Sequence, residues 1–174
     1  MTDRFRILLC QLNPTLGDIA GNAAKARVAW NEGKAAGVNL VALPEMFITG
    51  YQTQDLVRKP VFHQTAIAAI EALAADCADG PALAIGGPGL EGAGLFNAYY
   101  ILKGGKILSR ALKHELPNET VFDEVRLFDS GAPAGPVAID GVRIGTPICE
   151  DAWHEDVSET LEETGAEVLL VPNG

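Results

Sequence analysis

Apolar residues fall in short blocks separated by Gly, Pro, Asp and Asn, and the spacing within the blocks alternates between two kinds. Phe5 to Leu12 is strongly apolar and reads as a strand. Turn and cap residues follow in Gly17-Asp18-Ile19-Ala20-Gly21-Asn22, opening an Ala-rich helix that runs to about Ala36 and closes at Gly37. Leu40-Val41-Ala42-Leu43 is continuously apolar, as expected of a strand buried on both faces, and Pro44 ends it. Pro60 suits the first turn of a second helix, on which Ile67, Ile70, Leu73, Ala74 and Cys77 share one face. Ala82 to Gly86 is a further strand. Asn97–Leu102 and Lys106–Ser109 flank Gly104-Gly105, and Pro136–Ile139 and Val142–Ile144 flank Asp140-Gly141, so each set predicts a hairpin. A short helix over Val157–Thr164 and a last strand within Glu167–Val171 complete the pattern. Strands alternating with helices, then hairpins, define an α/β chain with helix-covered sheets. No repeat, linker or low-complexity segment interrupts it.

Composition narrows the function classes. The 174 residues suffice for one domain with a substantial core, and 48% are apolar. The formal net charge is -10 with no basic cluster, which speaks against a nucleic-acid partner. No apolar run approaches the roughly 20 residues that span a bilayer, so no membrane role is expected. The N-terminal Met1-Thr2-Asp3-Arg4-Phe5-Arg6 leads straight toward a strand without a signal-peptide pattern. Three cysteines, widely spaced and without a CxxC pair, argue against a disulfide framework or a zinc site and for a reducing, cytoplasmic setting.

Chemistry concentrates at three strand ends. Val142-Arg143-Ile144-Gly145-Thr146-Pro147-Ile148 delivers Cys149 into a turn begun by Glu150-Asp151. A thiol presented there can attack a substrate while the following backbone N–H groups face its oxygen. Cys10 and Cys77 lack that context and read as core residues. Glu45 follows an apolar strand and Pro44, at the carboxyl end where open α/β sheets place their sites. Partial burial would raise its basicity toward that of a general base. Lys113 lies just past a hairpin strand. Its ammonium could lower a nearby thiol's pKa and stabilise an oxyanion. His114 is a rival base for a Cys–His pair. Separately, each of these residues has an ordinary structural explanation.

Together they resemble a family. Leu43-Pro44-Glu45, Lys113 with Leu116-Pro117-Asn118, and Cys149-Glu150-Asp151 are similar to the Glu–Lys–Cys constellation of the nitrilase, or carbon–nitrogen hydrolase, superfamily. Further segments narrow the likeness: Gly17 to Lys25, Ile48-Thr49-Gly50-Tyr51, Asp55 to Phe62, Val121 to Arg126 and Ile148 to Trp153. Over essentially the whole chain, 1–174, they resemble the N-terminal glutaminase domain of glutamine-dependent NAD synthetases. The resemblance implies a nitrilase-like α-β-β-α sandwich, incomplete at the C-terminus, and glutamine as the ammonia donor. Carried over by position, Glu45 is the general base, Lys113 the oxyanion stabiliser and Cys149 the nucleophile. Glu124 matches a supporting glutamate near the lysine, the Glu150 N–H a part of the oxyanion hole, and Tyr51 a residue shaping the glutamine pocket. No metal or cofactor is implied for this half. In the family, ATP and magnesium serve a C-terminal synthetase domain, absent from this sequence, that amidates nicotinic acid adenine dinucleotide.

Two departures stand out. Asn118 is followed by Glu119-Thr120, where the family usually has a tyrosine first. The chain also stops at a strand and the start of its loop, which reads as a truncation and would leave a sheet edge open to pairing. A homo-oligomer is accordingly expected. Two competing readings remain: a stand-alone amidase or nitrilase-type hydrolase, and an inactive truncated module.

Overall fold

A computed structural model describes residues 4–174; the Met1–Asp3 part of the N-terminal reading lies outside them. The element order is β1 (Ile7–Leu9), α1 (Ile19–Ala36), β2 (Leu40–Ala42), α2 (Pro60–Asp76), β3 (Ala82–Glu91), β4 (Gly94–Lys103), β5 (Lys106–Leu112), α3 (Glu124–Leu127), β6 (Val137–Ile139), β7 (Val142–Gly145), α4 (Glu155–Glu163) and β8 (Val168–Leu169). Short 3-10 turns cover Gln54–Leu56 and Cys149–Trp153.

Five strands form one sheet in the order β1-β2-β3-β4-β5, and three form a second in the order β6-β7-β8. Pairing is parallel from β1 to β3 and antiparallel from β3 to β5. In the second sheet β6 pairs antiparallel with β7, and β7 parallel with β8. The period-two alternation of strand residues splits the interior into two layers. Val41, Leu43, Leu83, Ile85, Tyr100 and Leu102 meet the small face of α1 and the Ile70–Leu73 face of α2. Their alternates Leu40, Ala42, Ala82, Ala84, Tyr99 and Ile101 meet Ile139, Ile144, Ile148 and Leu170 of the second sheet. Leu161 of α4 comes up against Gly145 on that sheet's far side. Helices, sheet, sheet and helix are thus stacked in the expected sandwich order.

Local signals explain most element ends. The Asp18 side chain caps α1 by accepting the Gly21 N–H at 2.9 Å, and Gly37 closes it at φ +65°. Pro60 opens α2 as expected. Cys77 is buried in the helix-side core as expected, at the residue that caps the helix, and His63 and Ala66 replace the half-buried Ile67 among the helix's buried residues. Cys10 lies just beyond β1 and packs only partly buried against the helix-side core, less enclosed than a core residue. Both anticipated hairpins form, with Gly104 and Gly105 at φ +62° and +81° and Asp140 and Gly141 at +48° and +89°.

One strand is longer than its sequence implied. Gly86-Gly87-Pro88-Gly89 looks like punctuation, yet β3 runs through it to Glu91 and turns into β4 at Gly92. The glycines are there for clearance. A Cβ on Gly86 would lie 2.2 Å from the Met46 backbone nitrogen and 2.8 Å from the Glu45 Cα, and one on Gly87 would lie 2.6 Å from Ile48 Cγ2. The segment after β2 can therefore pass directly over the strand.

Gly86→Ala is expected to overpack that crossing and cost about 2 kcal/mol. The melting temperature should fall by roughly 4–8 °C for a domain of this size. An unshifted melt would mean that the Glu45 segment is free to move away.

Candidate active site

The carboxyl ends of β2 and β7, the start of the loop after β5, and the first residue of α3 converge. Glu45, Lys113 and Glu124 are all buried there. Lys113 Nζ lies 2.7 Å from Glu45 Oε1 and 3.0 Å from Glu124 Oε1. The lysine side chain is wholly withdrawn from water, as is that of Glu45. Burial works against the ammonium, but Glu45 and Glu124 outweigh it and hold the Lys113 pKa above its usual value. Glu45 moves the other way: burial is the largest effect and raises its pKa despite Lys113. A buried carboxylate made more basic is suited to taking a proton.

Cys149 sits at φ +49°, in the left-handed region that L-residues seldom occupy. It begins the turn after β7, with Pro147 and Ile148 buried behind it. The backbone thus carries the thiol out of the strand direction sharply, as a nucleophile at a strand-to-helix junction requires. The Cys149 side chain is half-buried. Burial first, and Glu45 second, push its pKa up to about 11, against the lowering effect of Lys113 and the Glu150 N–H. Here the sequence expectation fails: Lys113 was expected to depress the thiol's pKa, but desolvation and the two carboxylates outweigh it. The resting group is a thiol, so any attack by it would require a base to remove its proton.

The remaining anticipated residues fall around this cluster. Tyr51 donates its hydroxyl to Glu124 Oε1 and stacks edge-on with Phe122, their ring centroids 6.1 Å apart. Burial, then the Glu124 carboxylate, drives its pKa far upward, so it stays a donor. His114 does not join them. Its Nδ1 lies 2.7 Å from the Gly131 carbonyl, and Nε2 faces Asp156 at 3.3 Å and Glu115 at 3.7 Å. It is therefore no partner for the thiol. His114, Glu115 and Asp156 are the grouping among the described residues that could offer three ligands to a metal. A protonated imidazole between two carboxylates accounts for the same geometry; the hydrogen bond to the Gly131 carbonyl first, and the carboxylates after it, raise the pKa of His114. Glu119 is exposed, where the family pattern would put a tyrosine.

Three features of the site were not legible beforehand. Asp151 is buried, and its carboxylate accepts backbone N–H groups from His114 at 3.0 Å, Glu115 at 2.8 Å and Ile148 at 2.9 Å. It fastens the Lys113 segment to the Cys149 segment. The Pro172 carbonyl accepts the Cys149 N–H at 2.9 Å, and the Asn173 carbonyl accepts the Glu45 N–H at 3.2 Å. The stretch after β8 thereby ties both sheets together beneath the site. Asn97 of β4 reaches both carboxylates with its amide. An acidic pair beside the cysteine was the only sequence signal for any of these. A surface hollow of about 550 Å³ over Leu8, Leu12 and Val28 lies elsewhere, and one of about 380 Å³ borders the cluster at Pro44, Pro172 and Asn173. Buried charge locates this site, rather than cavity size.

These features define a protein class. The family model for carbon-nitrogen hydrolases matches residues 6–174, and the chain belongs to that family. It is 60% identical over 174 residues to the glutamine-dependent NAD(+) synthetase of Rhodobacter capsulatus, covering 100% of this chain and 32% of that protein. It is 34% identical over 170 residues to the enzyme of the same name from Thermotoga maritima, covering 98% of this chain and 30% of that one. The chain therefore spans about a third of the length of the relatives it matches. The structure of glutamine-dependent NAD+ synthetase from Acinetobacter baumannii, in complex with ADP, superposes with a TM-score of 0.88 at 28% identity, over 98% of this chain and 32% of that chain. An amidase from Nesterenkonia sp. AN1 shares the fold, with a TM-score of 0.81 at 22% identity over 98% of this chain and 67% of that one. No helix among the described residues is long and apolar enough to cross a membrane.

Two measurements follow. Asp151→Asn puts an amide N–H₂ against backbone donors and is expected to cost about 2 kcal/mol in chemical denaturation. Peptide-resolved iodoacetamide labelling of Cys149, without substrate, should rise through the alkaline range toward a midpoint of about 11. Glu45→Gln removes a charge that raises the thiol's pKa, so its midpoint should fall.

Proposed function

We propose that this chain is the glutamine-hydrolysing part of a glutamine-dependent NAD synthetase. The observation that carries the reading is the buried Lys113 held between Glu45 and Glu124 beside a cysteine at left-handed φ on a strand end. The 60% identity to a protein of that name supports the choice of glutamine among amides.

The chemistry follows from the donors and acceptors present. Glu45 Oε1 is engaged by Lys113 and Asn97, whereas Oε2 has no partner. Oε2 takes the Cys149 proton as sulfur bonds to the side-chain amide carbon of glutamine. The carbonyl π pair moves to oxygen, which the Glu150 N–H and Lys113 stabilise. Two of the three Lys113 N–H bonds are directed at carboxylates, which leaves a third for that oxygen. The tetrahedral intermediate collapses, the C–N bond breaks, and protonated Glu45 returns its proton to the departing nitrogen. Ammonia leaves and a glutamyl thioester remains. Glu45 then removes a proton from water as the water's oxygen bonds to the thioester carbon; the second tetrahedral intermediate collapses, the C–S bond breaks, Glu45 returns that proton to sulfur, and glutamate departs with the thiol restored. Glu124, itself held by the Tyr51 hydroxyl, holds the lysine, and both line the approach. None of these steps requires a metal ion. In the whole protein the ammonia would pass to a C-terminal synthetase domain, where ATP and magnesium serve amidation of nicotinic acid adenine dinucleotide.

The test uses the full-length natural protein. Cys149→Ala should abolish glutamine-driven NAD synthesis, by at least about 10³-fold, and leave synthesis from added ammonia intact. Unchanged glutamine use would remove Cys149 from the mechanism. Hydrolysis of simple amides or nitriles in preference to glutamine would instead support the amidase reading.

A further inference from the structure

Asn97 is wholly buried at the centre of β4, where an apolar residue would cost less. Its side chain meets both carboxylates of the cluster, and its main chain pairs with that of Lys113. Its main-chain carbonyl accepts the Lys113 N–H at 2.9 Å. Its side-chain nitrogen lies 2.8 Å from Glu45 Oε1 and 3.4 Å from Glu124 Oε1. A carboxamide nitrogen carries two hydrogens, one for each carboxylate. The flipped orientation would press a carbonyl oxygen against two carboxylates, so the chemistry fixes which end faces them.

That geometry makes the two oxygens of Glu45 inequivalent. A carboxylate oxygen accepts about two hydrogen bonds. Oε1 receives Lys113 at 2.7 Å and Asn97 at 2.8 Å. Oε2 receives none. With Lys113 as its one donor, the carboxylate would resist turning about its bond less strongly. Two donors on one oxygen, one from the middle of β4 and one from just past β5, hold the plane. Asn97 also stands between Glu45 and Glu124, placing a positive amide edge where like charges would otherwise face each other.

We propose that Asn97 is a positioning residue of the hydrolysis: its carboxamide locks the Glu45 carboxylate so that Oε2 alone carries the proton between Cys149 and the departing nitrogen. The assignment rests on the glutaminase reading above. It adds that the base is oriented by a neutral donor from the neighbouring strand, apart from the Glu–Lys–Cys set. Loss of the amide would have two effects. The carboxylate would spend less time in the proton-accepting orientation, and its ionised form would lose one hydrogen bond.

Asn97→Leu removes the donor at similar volume. Asn97→Asp keeps the shape and replaces the donor by a carboxyl. Both are to be compared with the native full-length protein for glutamine hydrolysis across pH, with circular dichroism and thermal melts as folding readouts. The expected result is a fall in kcat of roughly 10- to 100-fold with KM changed less than about threefold. The acidic limb of kcat/KM should also move to higher pH in Asn97→Leu, because a hydrogen bond that favours the ionised base is gone. If Asn97→Leu does not fold, Asn97→Asp decides alone. Native kcat and an unmoved acidic limb in a folded variant overturn the proposal. So does failure of both variants to fold, which would make Asn97 a residue of the core. Cys149→Ala, assayed alongside, separates the two levels. Its inactivity with native Asn97 kinetics would sink only this assignment, whereas its retained glutamine hydrolysis would sink the underlying reading.

Discussion

An ammonium without access to water is the constraint around which this molecule is arranged. Burying Lys113 alone would be prohibitive, and it would lose its proton first. Glu45 and Glu124 keep it charged, at 2.7 and 3.0 Å. Those two carboxylates in turn tolerate burial only because Lys113, Asn97 and Tyr51 donate to them. Removing one member would strand the others, and breaking such a buried pair typically costs about 3–5 kcal/mol. The network therefore requires that segments separated by dozens of residues end within hydrogen-bonding distance of one another.

The sandwich meets that requirement with backbone contacts. Gly86 lets the Glu45 segment cross β3 closely. The Pro172 and Asn173 carbonyls pin Cys149 and Glu45 from the second sheet. Asp151 uses both carboxylate oxygens to draw the Lys113 loop to the cysteine turn. Rigid strand ends of this kind hold reacting groups more accurately than free loops could. The same burial raises the thiol to about 11 and makes Glu45 more basic. Cys149 is therefore held as a thiol, and in the proposed reaction a nearby base would have to release it, in place of a standing thiolate open to oxidation.

Much of this was open to reading from sequence. Strand, helix and hairpin positions follow from hydrophobic period and turn residues, because those signals are local. The Asp18 cap, Gly37 and the Asp140-Gly141 turn behave as their residue types dictate. The three chemical residues announced themselves by position, each just past an apolar block and matching one family's order. Errors arose where local chemistry is ambiguous. Gly86 to Gly89 reads as a break but is a strand thinned for a crossing segment. The neighbouring Lys113 and Cys149 pointed to a depressed thiol pKa, but the solvation of neither residue is written in the sequence.

What the sequence by itself determined was the α/β pattern, the family and the choice of Glu45, Lys113 and Cys149 as candidates. These depend on residue type and spacing, which a chain carries along its length. Only the tertiary structure decided that Asn97 joins two carboxylates, that Asp151 clamps two loops, that His114 turns away toward Asp156, and which oxygen of Glu45 is left free. Burial, hydrogen-bond partners and the balance between desolvation and charge depend on what approaches from elsewhere in the chain. They come into being only when the two sheets close on each other.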